Sequence, residues 1–160
     1  MSVNGFITGE HKRTIDDRYR LVFPPEFAEA VMDDNGETIL TKERYGCLSL
    51  WRPQEWRVRF EQRLALIQQK MTAGLMEQQW SKVQQFGRLV STRNTTIKFA
   101  NKSRMLVPEG FREFLDVPPN QEVILVGAAI CVEIWQPDAW RTALKDQLPL
   151  FDGLMQGMLN

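Results

Sequence analysis

The stretch Cys47-Leu48-Ser49-Leu50-Trp51-Arg52-Pro53-Gln54-Glu55-Trp56-Arg57 returns 84 residues later as Cys131-Val132-Glu133-Ile134-Trp135-Gln136-Pro137-Asp138-Ala139-Trp140-Arg141. The same offset carries residues 8–57 onto 92–141 without a gap, and with them Arg20 onto Arg104, Pro24 onto Pro108 and Phe27 onto Phe111. A gapless register over two whole units is the mark of a tandem duplication. A unit of this size is too small to bury its own apolar face. The copies must therefore pack on one another, and loops at matching positions become one composite surface.

Working outward, each copy reads alike. An extended segment ends in a tight turn before the repeated arginine. A β-branched and aromatic run follows, Leu21-Val22-Phe23 or Met105-Leu106-Val107, and proline stops it as at a strand edge. Phe27 and Val31, like Phe111 and Leu115, then share one face of a short helix, and both helices are expected to cap an end of a barrel. Turn residues lead into hairpins whose strands are 38–42 with 47–51 and 122–126 with 131–135. Pro53 and Pro137 open helices that carry the second tryptophan.

Between the copies, Trp56, Phe60, Leu64, Ile67, Met71 and Leu75 form one apolar stripe. Gly74 is expected to break it, and Met76, Trp80, Val83 and Phe86 to form the returning arm of a helical hairpin. The stripe reads either as packing on the barrel or as a groove or partner-binding face. The tail from Leu148 is apolar enough to dock, while its proline and glycines argue against one long helix. The expected fold class is α+β. Its divisions are a first repeat at 5–57, a helical hairpin at 58–88, a second repeat with its C-terminal helix at 89–148, and an apolar tail at 149–160.

Composition sets the outer limits. The 160 residues are 43% hydrophobic and 25% charged, with a formal net charge of zero, and no run approaches the roughly 18 apolar residues of a membrane span. The start lacks the basic and apolar regions of a secretory signal, which predicts a cytoplasmic protein with no membrane partner. Cys47 and Cys131 read as small buried hydrophobes or as a bridge across the two copies; cytosolic proteins rarely keep disulfides. One histidine excludes a zinc cluster. There is no nucleophile elbow, phosphate-cradling loop or dinucleotide fingerprint, and Asp16 and Asp17, adjacent on a strand, point to opposite faces. Neither catalysis, cofactor, metal nor small-molecule substrate is expected.

At Asp16-Asp17-Arg18-Tyr19-Arg20-Leu21-Val22-Phe23-Pro24, followed by a helix and Trp51-Arg52-Pro53-Gln54-Glu55-Trp56, the chain resembles the bacterial MraZ family. The second copy repeats the order, from Arg104 to Trp135-Gln136-Pro137-Asp138-Ala139-Trp140. The resemblance implies two AbrB-like units interlocked as a swapped-hairpin β-barrel, with several chains in a closed ring. It also implies a DNA-binding transcriptional regulator of division and cell-wall genes, located on the nucleoid, that recognises short repeated promoter sites. The family pattern places an aspartate four residues before each arginine and a glycine directly before it. This chain keeps Asp16 and Arg20, but has Ala100 before Arg104, and Tyr19 and Ser103 in place of the glycines.

Arginine is a rigid, permanently charged fork suited to phosphate oxygens or to the O6/N7 edge of guanine. The candidate DNA-binding residues are Arg20, Arg104, Arg18, Lys102, Lys12 and Arg13, with Asp16 orienting Arg20. Their alternative is a solvated face of weak surface ion pairs. A tyrosine is an unfavourable occupant of a left-handed turn position, so the turn at Tyr19 is expected to change shape. The competing function is an MraZ-like oligomeric scaffold or protein-interaction module that no longer reads DNA.

Overall fold

The computed structural model describes residues 2–3, 5–74 and 77–160, so Leu75 and Met76 of the expected stripes lie outside the described residues. Along the chain come β1 (Ser2–Val3), β2 (Phe6–Ile7), β3 (Glu10–Thr14), β4 (Arg20–Val22), α1 (Pro25–Val31), β5 (Glu37–Arg44), β6 (Cys47–Trp51) and α2 (Pro53–Thr72). After α3 (Trp80–Thr92) the order repeats as β7 (Asn94–Lys98), β8 (Arg104–Leu106), α4 (Glu109–Leu115), β9 (Glu122–Gly127), β10 (Val132–Trp135) and α5 (Pro137–Gln147). A 3-10 turn (Leu148–Leu150) and α6 (Phe151–Leu159) complete it. The class is α+β with antiparallel sheets.

The main sheet runs β3-β9-β10-β6-β5-β7. Within this sheet, among the described residues, only the hairpins β5–β6 and β9–β10 pair strands of one copy. β3 of the first copy lies against β9 of the second, β7 of the second lies against β5 of the first, and β6 joins β10. A separate ladder pairs β4 with β8. Ser49 faces Glu133 and Leu21 faces Met105. Each of these pairs joins residues one repeat length apart, so a pseudo-twofold axis passes through both.

Among the described residues no continuous ladder closes a barrel. The main sheet ends at β3 and β7, and the β4–β8 ladder meets those edges through the turns, where the Asp16 N–H donates to the Arg20 carbonyl and Ala100 and Arg104 exchange two backbone bonds. The short ladder is bounded by those turns and by Pro24 and Pro108, which have no N–H to extend it.

One face of the sheet supplies Leu40, Leu48, Leu50, Val123, Leu125, Val132 and Ile134 to the principal core. Leu21, Phe23, Met105 and Val107 close that core from the short ladder, and α1 and α4 add Phe27, Val31, Phe111 and Leu115. The opposite face carries two smaller clusters. Ile39, Trp51 and Cys131 lie with Trp56 and Phe60 of α2, while Cys47, Ile124, Val126 and Trp135 lie with Ala139, Trp140 and Ala143 of α5. Covering both faces explains why every residue of β6 is buried and why that strand reads as a nearly unbroken apolar run.

Both cysteines are free and buried. Desolvation pushes the Cys131 thiol up to about 12 and raises that of Cys47 further, so almost no thiolate exists at neutral pH. A thiol reagent at pH 7.5 is expected to label neither cysteine in the native protein and both in denaturant; rapid native labelling would contradict this packing.

The helical stripe packs on the sheet only at its start. Trp56 is buried and Phe60 partly so, whereas Leu64, Leu66 and Met71 of α2 and Trp80 and Leu89 of α3 are exposed. Gly74 ends the first arm with φ +71. The tail is not one long helix: a 3-10 turn at Leu148–Leu150 precedes the nine-residue α6. Pro149 occupies the first turn of the 3-10 segment, where no backbone donor is required, and each helical glycine costs only about 1 kcal/mol. Instead of docking within the chain, the tail leaves Leu148, Leu150, Phe151, Leu154, Met158 and Leu159 exposed. Among the described residues no helix is long and apolar enough to cross a membrane.

Candidate nucleic-acid interface

The short ladder sets Arg20 opposite Leu106, Leu21 opposite Met105 and Val22 opposite Arg104. It continues one step each way, the Val107 N–H donating to Tyr19 O and the Phe23 N–H to Ser103 O. Strand alternation then divides the residues cleanly. Leu21, Phe23, Met105 and Val107 point into the core, each no more than 1% exposed. Arg20, Val22, Arg104 and Leu106 share the outer face, with the two arginines half-buried. Diagonal neighbours on such a ribbon lie about 7–8 Å apart, so Arg20 and Arg104 sit side by side across the pseudo-twofold axis.

Two turns bracket this ribbon, and they are built differently. In the first, Asp16 Oδ1 accepts from the backbone N–H of Arg18 at 2.9 Å and of Arg20 at 2.8 Å. Its Oδ2 accepts from Arg20 Nε at 2.7 Å, so a single carboxylate shapes the turn and aims the guanidinium. The Arg20 backbone bond, joined by the Arg18 N–H and the Arg20 side chain, holds the Asp16 carboxyl below its ordinary value against partial desolvation.

A carboxylate that binds its proton less tightly when folded contributes stability that is complete above the unfolded value, and this is lost as pH falls through the lower folded value. Acidification from about pH 4 downward is therefore expected to release Arg20, seen as movement of its Nε–H resonance in NMR. Asp16→Ala should show the released position at every pH. A resonance that ignores both changes would refute the clamp.

The expected change of shape at Tyr19 does not occur. Tyr19 takes the left-handed conformation, φ +61, in the place the family pattern gives to glycine. The strain is offset by packing, because its ring lies against the core and under the Arg112 guanidinium, 4.3 Å from the ring centroid. The second turn is built differently from the first. Asn101 and Lys102 both have positive φ, +53 and +66, and the Ser103 N–H donates to Ala100 O at 3.3 Å. This is the two-residue hairpin form that asparagine tolerates well. It needs no carboxylate to hold its shape, which accounts for Ala100. Among the described residues the Arg104 guanidinium has no hydrogen bond or ion pair.

Arg18 and Lys102 stand exposed on the turns at the two ends of the ribbon. Lys12 and Arg13 are placed differently, on the edge strand β3. Lys12 pairs with Ile124 and so faces the α5 side of the sheet, whereas Arg13 pairs with Val123 on the core side and donates its Nη1 to Lys12 O at 2.8 Å. They belong to opposite sheet faces and do not form one patch. Sequence reasoning passed over Val22 and Leu106 as ordinary strand residues. Their parity with the arginines, two positions along each strand, is the signal that places them on the outer face.

A family model described as "MraZ protein, putative antitoxin-like" matches residues 92–157. The chain is 30% identical over 132 residues to a transcriptional regulator MraZ of Thermomicrobium roseum, covering 82% of each chain. It is also 30% identical over 136 residues to one of Deinococcus radiodurans, covering 85% of each. A transcriptional regulator MraZ of Moorella thermoacetica is 26% identical over 152 residues, or 95% of this chain and 96% of the relative. With such identity sustained across both copies and the arginine ribbon between them, this chain belongs to the MraZ family.

Proposed function

We propose that the protein is a sequence-specific DNA-binding transcriptional regulator, acting on the nucleoid as a ring of several chains that engages repeated promoter sites. The observation that carries this reading is the β4–β8 ribbon, which sets Arg20 and Arg104 on one outward face with Arg18 and Lys102 at its ends. Two cationic forks at this spacing suit the phosphates and base edges of one major groove. The exchange of first strands between copies supports the swapped-hairpin reading, in which the short ladder completes the barrel through the two turns.

The chain carries no net charge, and a patch of two arginines holds DNA weakly. Repetition around a ring raises the effective concentration at each successive site and restores affinity. The exposed apolar tail α6 supports assembly of more than one chain, and it equally favours the second reading, an oligomeric scaffold without DNA recognition.

Salt separates the two. Binding to a duplex from upstream of the protein's own gene should weaken steeply and log-linearly with salt for a regulator. Light scattering should count several chains, and fewer once residues 148–160 are removed. An assembly that forms normally while DNA retention stays absent at low salt would leave only the scaffold.

A further inference from the structure

The outer face of the ribbon carries two apolar side chains that the fold does not use. Val22 is 52% exposed and Leu106 is 51% exposed, while the ribbon residues on either side of them in sequence that face inward are sealed. Neither belongs to any core cluster. Each stands directly across the ladder from an arginine, Val22 from Arg104 and Leu106 from Arg20, with Cβ atoms about 4.5–5.5 Å apart. The pseudo-twofold axis through Leu21 and Met105 exchanges the two pairs. The surface is thus a symmetric motif of two arginine–aliphatic pairs, flanked by exposed Arg18 and Lys102.

We infer that Val22 and Leu106 are specificity-determining residues that contact the C5-methyl groups of thymines in the major groove, each beside a guanine taken by the arginine across the ladder. The inference rests on the reading of this ribbon as the DNA-binding face. A two-stranded ribbon fits the major groove. That groove offers one apolar feature, the thymine methyl, and one acceptor pair matched to a guanidinium, guanine O6 and N7. Backbone contacts alone would reward lysine or serine at positions 22 and 106, because phosphates offer nothing to an aliphatic side chain. Successive bases are stacked about 3.4 Å apart, so an arginine and its cross-strand neighbour fall on the same or adjacent base pairs. Pseudo-twofold placement then predicts guanine–thymine steps on both sides of the centre of the contacted site, in inverted orientation. Valine and leucine differ in reach, so the two sides are read unequally.

Removing single methyls from the DNA tests this. Duplexes enriched from a random library by repeated binding to the full chain would be resynthesised with each thymine replaced in turn by deoxyuridine, which deletes only the methyl. At least one thymine on each side of the centre should lose about fourfold in affinity on replacement, the worth of one buried methyl. V22A should abolish the uracil effect on one side and L106A on the other, while V22T, which keeps a methyl, should retain it. This is the coupling expected of groups in contact.

Enrichment of a sequence whose binding ignores every such replacement would overturn the inference and leave the DNA-binding reading standing. So would a V22A chain that loses the same factor on thymine and uracil duplexes, or one that changes subunit number. Failure of any sequence to enrich would remove both.

Discussion

Replacing Arg20 and Arg104 together by alanine should reduce specific DNA affinity by roughly two to four orders of magnitude, with the fold intact. Each well-placed arginine contact to a base edge is worth about 1–3 kcal/mol, and the two residues lie on the solvent side of a ladder whose inner residues are untouched by the change. The single variants should differ. Asp16 holds the Arg20 guanidinium through Nε, whereas Arg104 must be ordered on binding, at a cost of up to about 2 kcal/mol in side-chain entropy. Arg20→Ala is therefore expected to lose more than Arg104→Ala, and Asp16→Ala to bring the two arginines close to equivalence. A lost phosphate contact lowers the salt slope by about one, whereas a lost base contact relaxes sequence preference. Equal affinity in the double variant and the native chain, measured at one salt concentration, would remove both arginines from the interface.

Much of this arrangement was legible in the repeat. Once Leu21 and Met105 are recognised as equivalent, a twofold pairing of the two short strands must bring them face to face and set Arg20 and Arg104 diagonally across them. The elements around Phe27, Trp51 and Trp56 followed from proline, turn residues and side-chain period. Other features turned on contacts that no local pattern reports. Tyr19 remains left-handed because Arg112, far along the chain, covers its ring. The tail lies on no part of the described core, and Ala100 stands in place of Asp16's counterpart at a different turn, formed by Asn101 and Lys102. Lys12 and Arg13 are candidates by their charge and by their place around the first arginine loop. Adjacency on a strand is what sends them to opposite faces.

The half-chains 1–74 and 77–160, made separately, should each lack a folded monomer. Among the described residues every ladder except the two hairpins and the small β1–β2 pair joins one copy to the other, and a hairpin alone is at best marginally stable in water. A second copy of the same half can take the missing place, because the axis exchanges equivalent positions, and the residues on the axis decide how well. For the first half these would be Leu21 against Leu21 and Ser49 against Ser49, both tolerable, so folding should appear with rising concentration as a dimer forms at neutral pH. For the second half Met105 meets Met105, but Glu133 meets Glu133. Burial already raises the Glu133 carboxyl above its ordinary value, with the bond from Trp135 Nε1 opposing the rise. A second carboxylate about 5 Å away adds repulsion on the order of 3 kcal/mol at an effective dielectric near 20, roughly two orders of magnitude in the dimerisation constant. A carboxyl whose folded value lies above its unfolded one contributes stability that is fully present below the unfolded value and lost as pH rises through the folded one. The second half should thus dimerise in acid and come apart toward neutrality, and Glu133→Ser should make it behave like the first. Cooperative, concentration-independent unfolding of either half would mean that the copies do not depend on each other, and the composite ribbon would lose its structural basis.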